Sequence, residues 1–216
     1  MTEAVRVADW PVPENIVAGT TTRHGSPADL PADPQLLRQV HGNTVVKLGS
    51  AEFDAGSPEA DAVIGTHPGD LCVVQTADCL PVLLCAPDGG EFAAAHAGWR
   101  GLAGGVLDAT IAEMRTPAAE LLAWLGPAIG TARFEVGDEV REAFADAGFE
   151  CANRFARNDR GRWQADLFGL ARDRLNACGL SAVHGRRDCT YDQPDRYFSY
   201  RRDGSTGRLL SFIYRH

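Results

Sequence analysis

Residues 70–105, DLCVVQTADCLPVLLCAPDGGEFAAAHAGWRGLAGG, decide how the rest of the chain is read. Two apolar runs of buried-strand length, 71–75 and 80–85, are separated by the polar insert Thr76-Ala77-Asp78 and Cys79. A turn at Pro87-Asp88-Gly89-Gly90 leads into a strand of small side chains, 92–96, which lets another layer come close. That strand ends at His96, and the turn Gly98-Trp99-Arg100-Gly101 opens a helical pattern with Leu107, Ile111 and Met114 on one face. Asp78, Cys79, His96 and Arg100 therefore fall at strand ends, where α/β proteins place their chemistry.

Working outward, residues 15–22, 44–48, 61–66, 121–125 and 209–214 read as further strands, and 36–41 as a helical turn or a strand. The Pro- and Asp-rich segment 26–35 reads as a loop. Val136, Val140, Ala143, Phe144 and Ala147 mark a second helix stopped by Gly148. Asp166 is placed to cap a third, with Leu167, Leu170, Ala171, Leu175 and Cys178 on its face and Gly179 closing it. Several strands adjoin through turns alone while others alternate with helices. That pattern predicts an α/β fold, a single compact domain over residues 1–216 with mixed sheets layered against helices.

Composition narrows the function. With 29 acidic against 21 basic residues the net charge is −8, which excludes the electrostatic footprint of a nucleic-acid or anionic-membrane binder. One lysine stands against twenty arginines, a ratio of coding bias, so arginines are informative by location and not by number. The first ten residues hold no apolar signal region, and no run nears the roughly 18 apolar residues of a membrane span. Six cysteines, at 72, 79, 85, 151, 178 and 189, form no CxxC pair and read as reduced thiols of a cytoplasmic protein.

Cys72 and Cys85 lie inside apolar runs and Cys178 on a helix face, all packing positions. Cys79, in the polar break beside Asp78, reads either as a further packing cysteine or as a thiol placed for chemistry. The turn after His96 presents backbone amides of Gly98 to Gly101 with the guanidinium of Arg100, a setting suited to an anion. His24, His41 and His67 all sit in Gly- or Pro-adjacent loops, and nothing internal to the sequence separates them. His41, Cys79 and His96 together would make a two-His, one-Cys set with an open fourth position, the composition of a catalytic zinc site. The same set would serve as a Cys nucleophile with a His base, or as a trigonal copper site.

The segments RQVHGNTVV, ADAVIGT, VVQTADCLPVLL, AAAHAGWRGLAGGVL, AWLGPAIG, FEVGDEV and YFSYRRDGSTGR, in order over nearly the whole chain, resemble the YfiH family. Members were long labelled laccase-domain or multicopper polyphenol oxidases, and were later assigned purine nucleoside phosphorylase, adenosine deaminase and methylthioadenosine phosphorylase activities. Some bacterial relatives are described as peptidoglycan-editing factors. The resemblance implies a layered α/β/β/α-type fold, a cytoplasmic zinc protein, and His41, Cys79 and His96 as its metal and catalytic set. Members usually carry a longer stretch before QVHG; here fifteen residues separate Arg23 from Gln39.

A copper oxidase reading requires a trinuclear cluster, and six histidines with no His-x-His pair, and Met1 and Met114 as the only thioethers, do not supply one. Zinc is the expected metal. The expected substrates are purine nucleosides and inorganic phosphate, with Asp78 moving the proton. Arg100, with Gly98 and Gly101 and joined by Arg23 and Arg201 or Arg202, is expected to hold the phosphate. A metal-free Cys79–His96 hydrolase, acting on a cell-wall precursor, is the alternative, as is a metal-stabilised binding protein.

Overall fold

The computed structural model describes residues 3–216, so Met1 lies outside the described residues. Along the chain run β1 (Val5–Val7), β2 (Ile16–Thr21), β3 (Val45–Lys47), β4 (Ala62–Gly65), β5 (Leu71–Thr76), β6 (Leu80–Cys85) and β7 (Phe92–Ala97). Then come α1 (Trp99–Ala103), α2 (Val106–Glu113), β8 (Leu122–Leu125), β9 (Glu135–Val136) and α3 (Asp138–Asp146). The last elements are β10 (Phe155–Arg157), β11 (Trp163–Ala165), α4 (Leu167–Ala177), β12 (Ala182–His184), α5 (Tyr200–Asp203) and β13 (Leu209–Arg215).

The central sheet has six strands in the order β12-β8-β6-β7-β4-β3. It is mixed, as predicted: β12 with β8 and β3 with β4 run parallel, the other pairs antiparallel. A four-stranded antiparallel sheet, β1-β2-β13-β5, packs on one of its faces, and α1, α2, α3 and α4 cover the other. The alternation along β6 explains the arrangement. Leu80, Val82 and Leu84 enter the core shared with the helices, whereas Leu83 and Cys85 enter the core between the sheets. Both faces being buried, the strand reads as an unbroken apolar run. The outer face of the four-stranded sheet, Leu71, Val73, Leu210 and Phe212, is covered by Leu30 and Leu36 of a loop with one 3-10 turn (Pro27–Asp29), where the layered expectation had helix. A separate three-stranded sheet, β10-β11-β9, joins the helical side.

Three sequence expectations are adjusted. Residues 36–41 form neither helix nor strand, apart from one bridge between Arg38 and Glu59. The helix after His96 is broken into α1 and α2 at Gly104-Gly105. Val136 pairs with Trp163 in β9, so α3 begins only after it. Asp166 does cap α4, its carboxylate accepting from the Gly169 amide. The polar insert after β5 also has a physical reason: β5 belongs to the smaller sheet and β6 to the larger, and residues 77–79 carry the chain from one to the other.

Candidate metal centre and its cavity

Cys79 ends the inter-sheet link, directly before β6, whose Leu80 pairs with Ala97 and whose Pro81 pairs with His96. That register puts the thiol beside the end of β7. On the other side β7 pairs with β4, Ala95 facing Ala62, so Asp61, the residue before β4, lies beside His96. The His96 amide donates to the Asp61 carbonyl at 2.7 Å, and the His96 ring meets the Asp61 carboxylate, Nδ1 to Oδ1, at 2.8 Å. The same carboxylate accepts from the amides of Val40, His41 and Gly42 at 3.2, 2.9 and 2.7 Å. These bonds hold His41 in the left-handed region, φ 62. Gln39 fixes the same loop to β5: its side-chain amide donates to the Gln75 carbonyl and accepts from the Gln75 amide, as a neighbouring strand would.

The result brings together the three predicted ligands. One donor atom each from His41, Cys79 and His96 lies within 4.8 Å of the others, the only such cluster of three among the described residues. Cys79 Sγ stands 3.8 Å from His41 Nε2, close to the roughly 3.5 Å that tetrahedral zinc would impose on its S and N ligands. Asp61 fixes the His96 tautomer with the proton on Nδ1, leaving Nε2 to ligate, the carboxylate–histidine arrangement common at metal sites. Gly98 supplies the clearance: a Cβ there would stand 2.9 Å from Cys79 Sγ and 3.1 Å from His41 Cδ2. Gly101 does the same for the His41 loop, since its Cβ would lie 2.9 Å from the Gly42 carbonyl oxygen. Both glycines thus act through the space they leave, and neither is among the residues lining the cavity in front of the triad.

The electrostatics suit a cation. Burial pushes the Cys79 thiol up, but hydrogen bonds and charge from His41 and His96 bring its pKa down to about 6. Burial works against the His96 cation, yet Asp61 and the Cys79 thiolate raise its pKa to about 9. Burial likewise works against ionised Asp61, and its bonds to His96 and the loop amides hold it below the usual range. The Asp61 carboxylate and the Cys79 thiolate therefore flank the His96 ring from opposite sides, and the proton on the thiolate side stands in the place where a metal ion would lie. Cys72, Cys85 and Cys178 have thiols raised by burial, in keeping with packing roles.

The triad opens into a cavity of about 550 Å³. Trp99, Phe134 and Tyr200 give it aromatic walls, Gln39, Gln75 and Thr76 a polar side, and Arg100, Arg201 and Arg208 its cations. Of the arginines expected at the anion, Arg100 and Arg201 line the cavity and Arg23 and Arg202 do not. Arg23 lies against Phe198 and donates to the Pro194 carbonyl, and Arg202 donates to the carbonyls of Thr190, Tyr191 and Tyr197. Asp78 borders the cavity with its carboxylate occupied: Thr190 Oγ1, Ser199 Oγ and the Arg201 amide donate to it at 2.6, 3.0 and 2.7 Å. Its backbone is left-handed, φ 94.

Sequence reasoning missed Asp61, Gln39 and Arg208. Asp61 stood inside the quoted segment ADAVIGT, and an acidic residue opening an otherwise apolar strand was its one available signal.

Among known proteins, residues 13–216 match the family described as "Multi-copper polyphenol oxidoreductase laccase". The chain is 42% identical to the Pseudomonas aeruginosa protein named "Purine nucleoside phosphorylase PA4543", over 95% of this chain and 96% of that one. It is 40% identical to Escherichia coli "Purine nucleoside phosphorylase YfiH", covering 96% and 97%. The alignments span 236 and 239 positions against 216 residues here, so both relatives carry residues that this chain lacks. Among solved structures, Neisseria meningitidis protein NMB0706 is 40% identical with a TM-score of 0.90 over 99% of both chains. YlmD from Geobacillus stearothermophilus is 28% identical with a TM-score of 0.81, covering 94% and 93%.

Proposed function

The chain belongs to the YfiH family, the one described as multi-copper polyphenol oxidoreductase laccase, and from that premise we propose that it is a zinc-dependent purine nucleoside phosphorylase. The observation that carries the reading is the His41–Cys79–His96 triad opening into a cavity that also holds three arginines. A nitrogen–nitrogen–sulfur donor set with one side open is the composition of catalytic zinc. A laccase passes electrons among several coppers, and one ligand cluster among the described residues argues against that activity here.

The cavity has the size of a small-molecule site and would take a nucleoside. The aromatic faces of Trp99, Phe134 and Tyr200 suit the purine ring. Arg100, Arg201 and Arg208 hold the phosphate, and a guanidinium fork matches its oxygens. In phosphorolysis a phosphate oxygen bonds to C1′ of the ribose while the C1′–N bond breaks. The electron pair goes to the purine, which takes up a proton, and ribose 1-phosphate remains. Asp78, its carboxylate occupied by three donors, acts as a positioning residue that fixes Arg201, in place of the proton-moving role expected from sequence. Zinc in the triad would supply Lewis acidity and positive charge facing the substrate.

Deamination of adenosine to inosine is a second activity that an open three-ligand site supports. The Cys79–His96 charge pair favours one other reading, a metal-free cysteine hydrolase. One assay separates these: adenosine and inosine are incubated with and without phosphate, and free base, ribose 1-phosphate and inosine are read separately. Phosphate-dependent base release, lost in Cys79→Ala and in zinc-stripped protein and restored by zinc, is the expected result. Full activity after zinc removal would overturn the zinc reading, and no phosphate-dependent base release would overturn phosphorolysis.

A further inference from the structure

The triad cavity does not end at Arg100 and Arg201. A second depression of about 400 Å³ continues past them, sharing Trp99, Arg100, Phe134 and Arg201 with the first. Beyond that shared wall it is bounded by Arg162, next to β11, by Glu135 and Val136 of β9, and by the first turn of α3.

Its charge pattern is distinctive. Eleven of the chain's twenty arginines form an ion pair with a carboxylate. None of the three arginines of the second depression is among them. Arg100 lies 4.4 Å over the Trp99 ring. Arg201 lies 5.7 Å from the Phe134 ring and donates to the carbonyls of Arg133 and Glu135. Of the two acids on the wall, Glu135 is taken by Arg160 and Asn158, which leaves Glu139. Three guanidiniums thus face one unengaged carboxylate, the reverse of the chain's net charge of −8. Concave surface with several guanidiniums that have no carboxylate partner is what a phosphate group requires, because their remaining N–H groups can donate to its oxygens. Gly137, which begins α3, brings no capping side chain of its own, and the Glu139 carboxylate folds over it on the same wall.

We propose that this second depression is a second phosphate subsite, joined to the phosphate position beside the triad through the shared Arg100 and Arg201, with Arg208 on the triad side and Arg162 on the far side. Its occupant is the 5′-phosphate of a purine nucleotide whose nucleoside part lies in the first cavity; a second free phosphate ion is the other source of the same chemistry. The nucleotide form rests on the purine nucleoside reading, and the free-ion form does not.

The test uses Arg162, which borders the second depression alone and is exposed, so Arg162→Ala and Arg162→Glu should fold. Binding of inosine, inosine 5′-monophosphate and inorganic phosphate to the zinc-loaded protein is measured by calorimetry. The two inosine compounds are titrated without phosphate, so that phosphorolysis does not proceed, and neither can lose an amine at C6. The nucleotide is expected to bind about tenfold tighter than inosine, as an added charge-assisted contact implies. That advantage should vanish in Arg162→Ala and reverse in Arg162→Glu, while phosphorolysis of inosine stays at its wild-type rate. If inosine and its monophosphate bind alike but one of two phosphate equivalents is lost in Arg162→Ala, the free ion is the occupant and the subsite stands. An undiminished nucleotide advantage in both variants, or no Arg162-dependent binding of either phosphate source, overturns it. A protein that binds no inosine but shows Arg162-dependent phosphate binding would reject the nucleoside reading and keep the subsite.

Discussion

Asp61 lies fully buried behind the triad and Asp78 borders the cavity in front of it; both work by the same device, a carboxylate collecting several donors, but what they hold differs. Every side-chain bond of Asp61 ends on His96, His41 or a neighbour of His41. Every side-chain bond of Asp78 ends on the segment of Thr190, Ser199 and Arg201, more than a hundred residues along the chain. Each also steadies a non-glycine residue with left-handed backbone, His41 in one case and Asp78 itself in the other. Such a conformation costs on the order of 1–3 kcal/mol and persists only where surrounding bonds enforce it. The difference assigns one carboxylate to the donor set and the other to the cationic wall. Metal retention and anion recognition should therefore be separable by mutation.

The largest effect is expected from Asp61→Ala. It strips the His96 ring and three loop amides of their acceptor in a fully buried place. Thermal unfolding should report a loss of about 3–5 kcal/mol, and elemental analysis should find little zinc. Asp61→Asn should keep the fold and weaken zinc binding by about 10- to 100-fold in competition with a chelator. Retention of full zinc by either variant would break the comparison from the Asp61 side. Next comes Gly98→Ala, whose methyl intrudes on Cys79 and His41. It should lower zinc affinity by at least about tenfold while moving the melting temperature only a few degrees.

Asp78→Asn should be milder. The amide still accepts from two donors and loses the third, about 1–3 kcal/mol of local stabilisation. Zinc content should stay at the wild-type level while KM for phosphate rises several-fold, because Arg201 is less firmly held. Lost zinc in this variant would merge the two roles again. The smallest effect concerns protons. In the metal-free protein His96 carries its proton up to about pH 9 and Cys79 is a thiolate above about pH 6. A metal entering between these values displaces the His96 proton, so zinc affinity should rise by about tenfold per pH unit through that window and level off above it. Calorimetry at pH 8 in buffers of different ionisation enthalpy should find about one proton released; none released would mean that His96 is not a ligand.

Much of this could be read from residues alone. The strands, the Asp166 cap and the packing cysteines followed from periodicity, and Cys79 and His96 from their places at strand ends. His41 did not, since its loop looks like those of His24 and His67. What distinguishes it is the Asp61 carboxylate beneath its amides, a contact twenty residues distant that no local pattern encodes. Arg202 was misleading for the complementary reason: beside Arg201 in sequence, it points into the 190–197 loop and serves carbonyls there. Helix position fixes direction, and adjacent residues on a turn do not face the same way.

The link from β5 to β6 has one further consequence. Because it passes from the small sheet to the large one, the donor atoms are supplied by both: His41 by a loop tied to β5, His96 by β7, and Cys79 by the crossing itself. An ion gripping all three would fasten the two sheets together along one edge. Regions that otherwise open as separate cooperative units would then open only together, and amide hydrogen exchange at the end of β5 and the start of β6 would slow in step as metal is added.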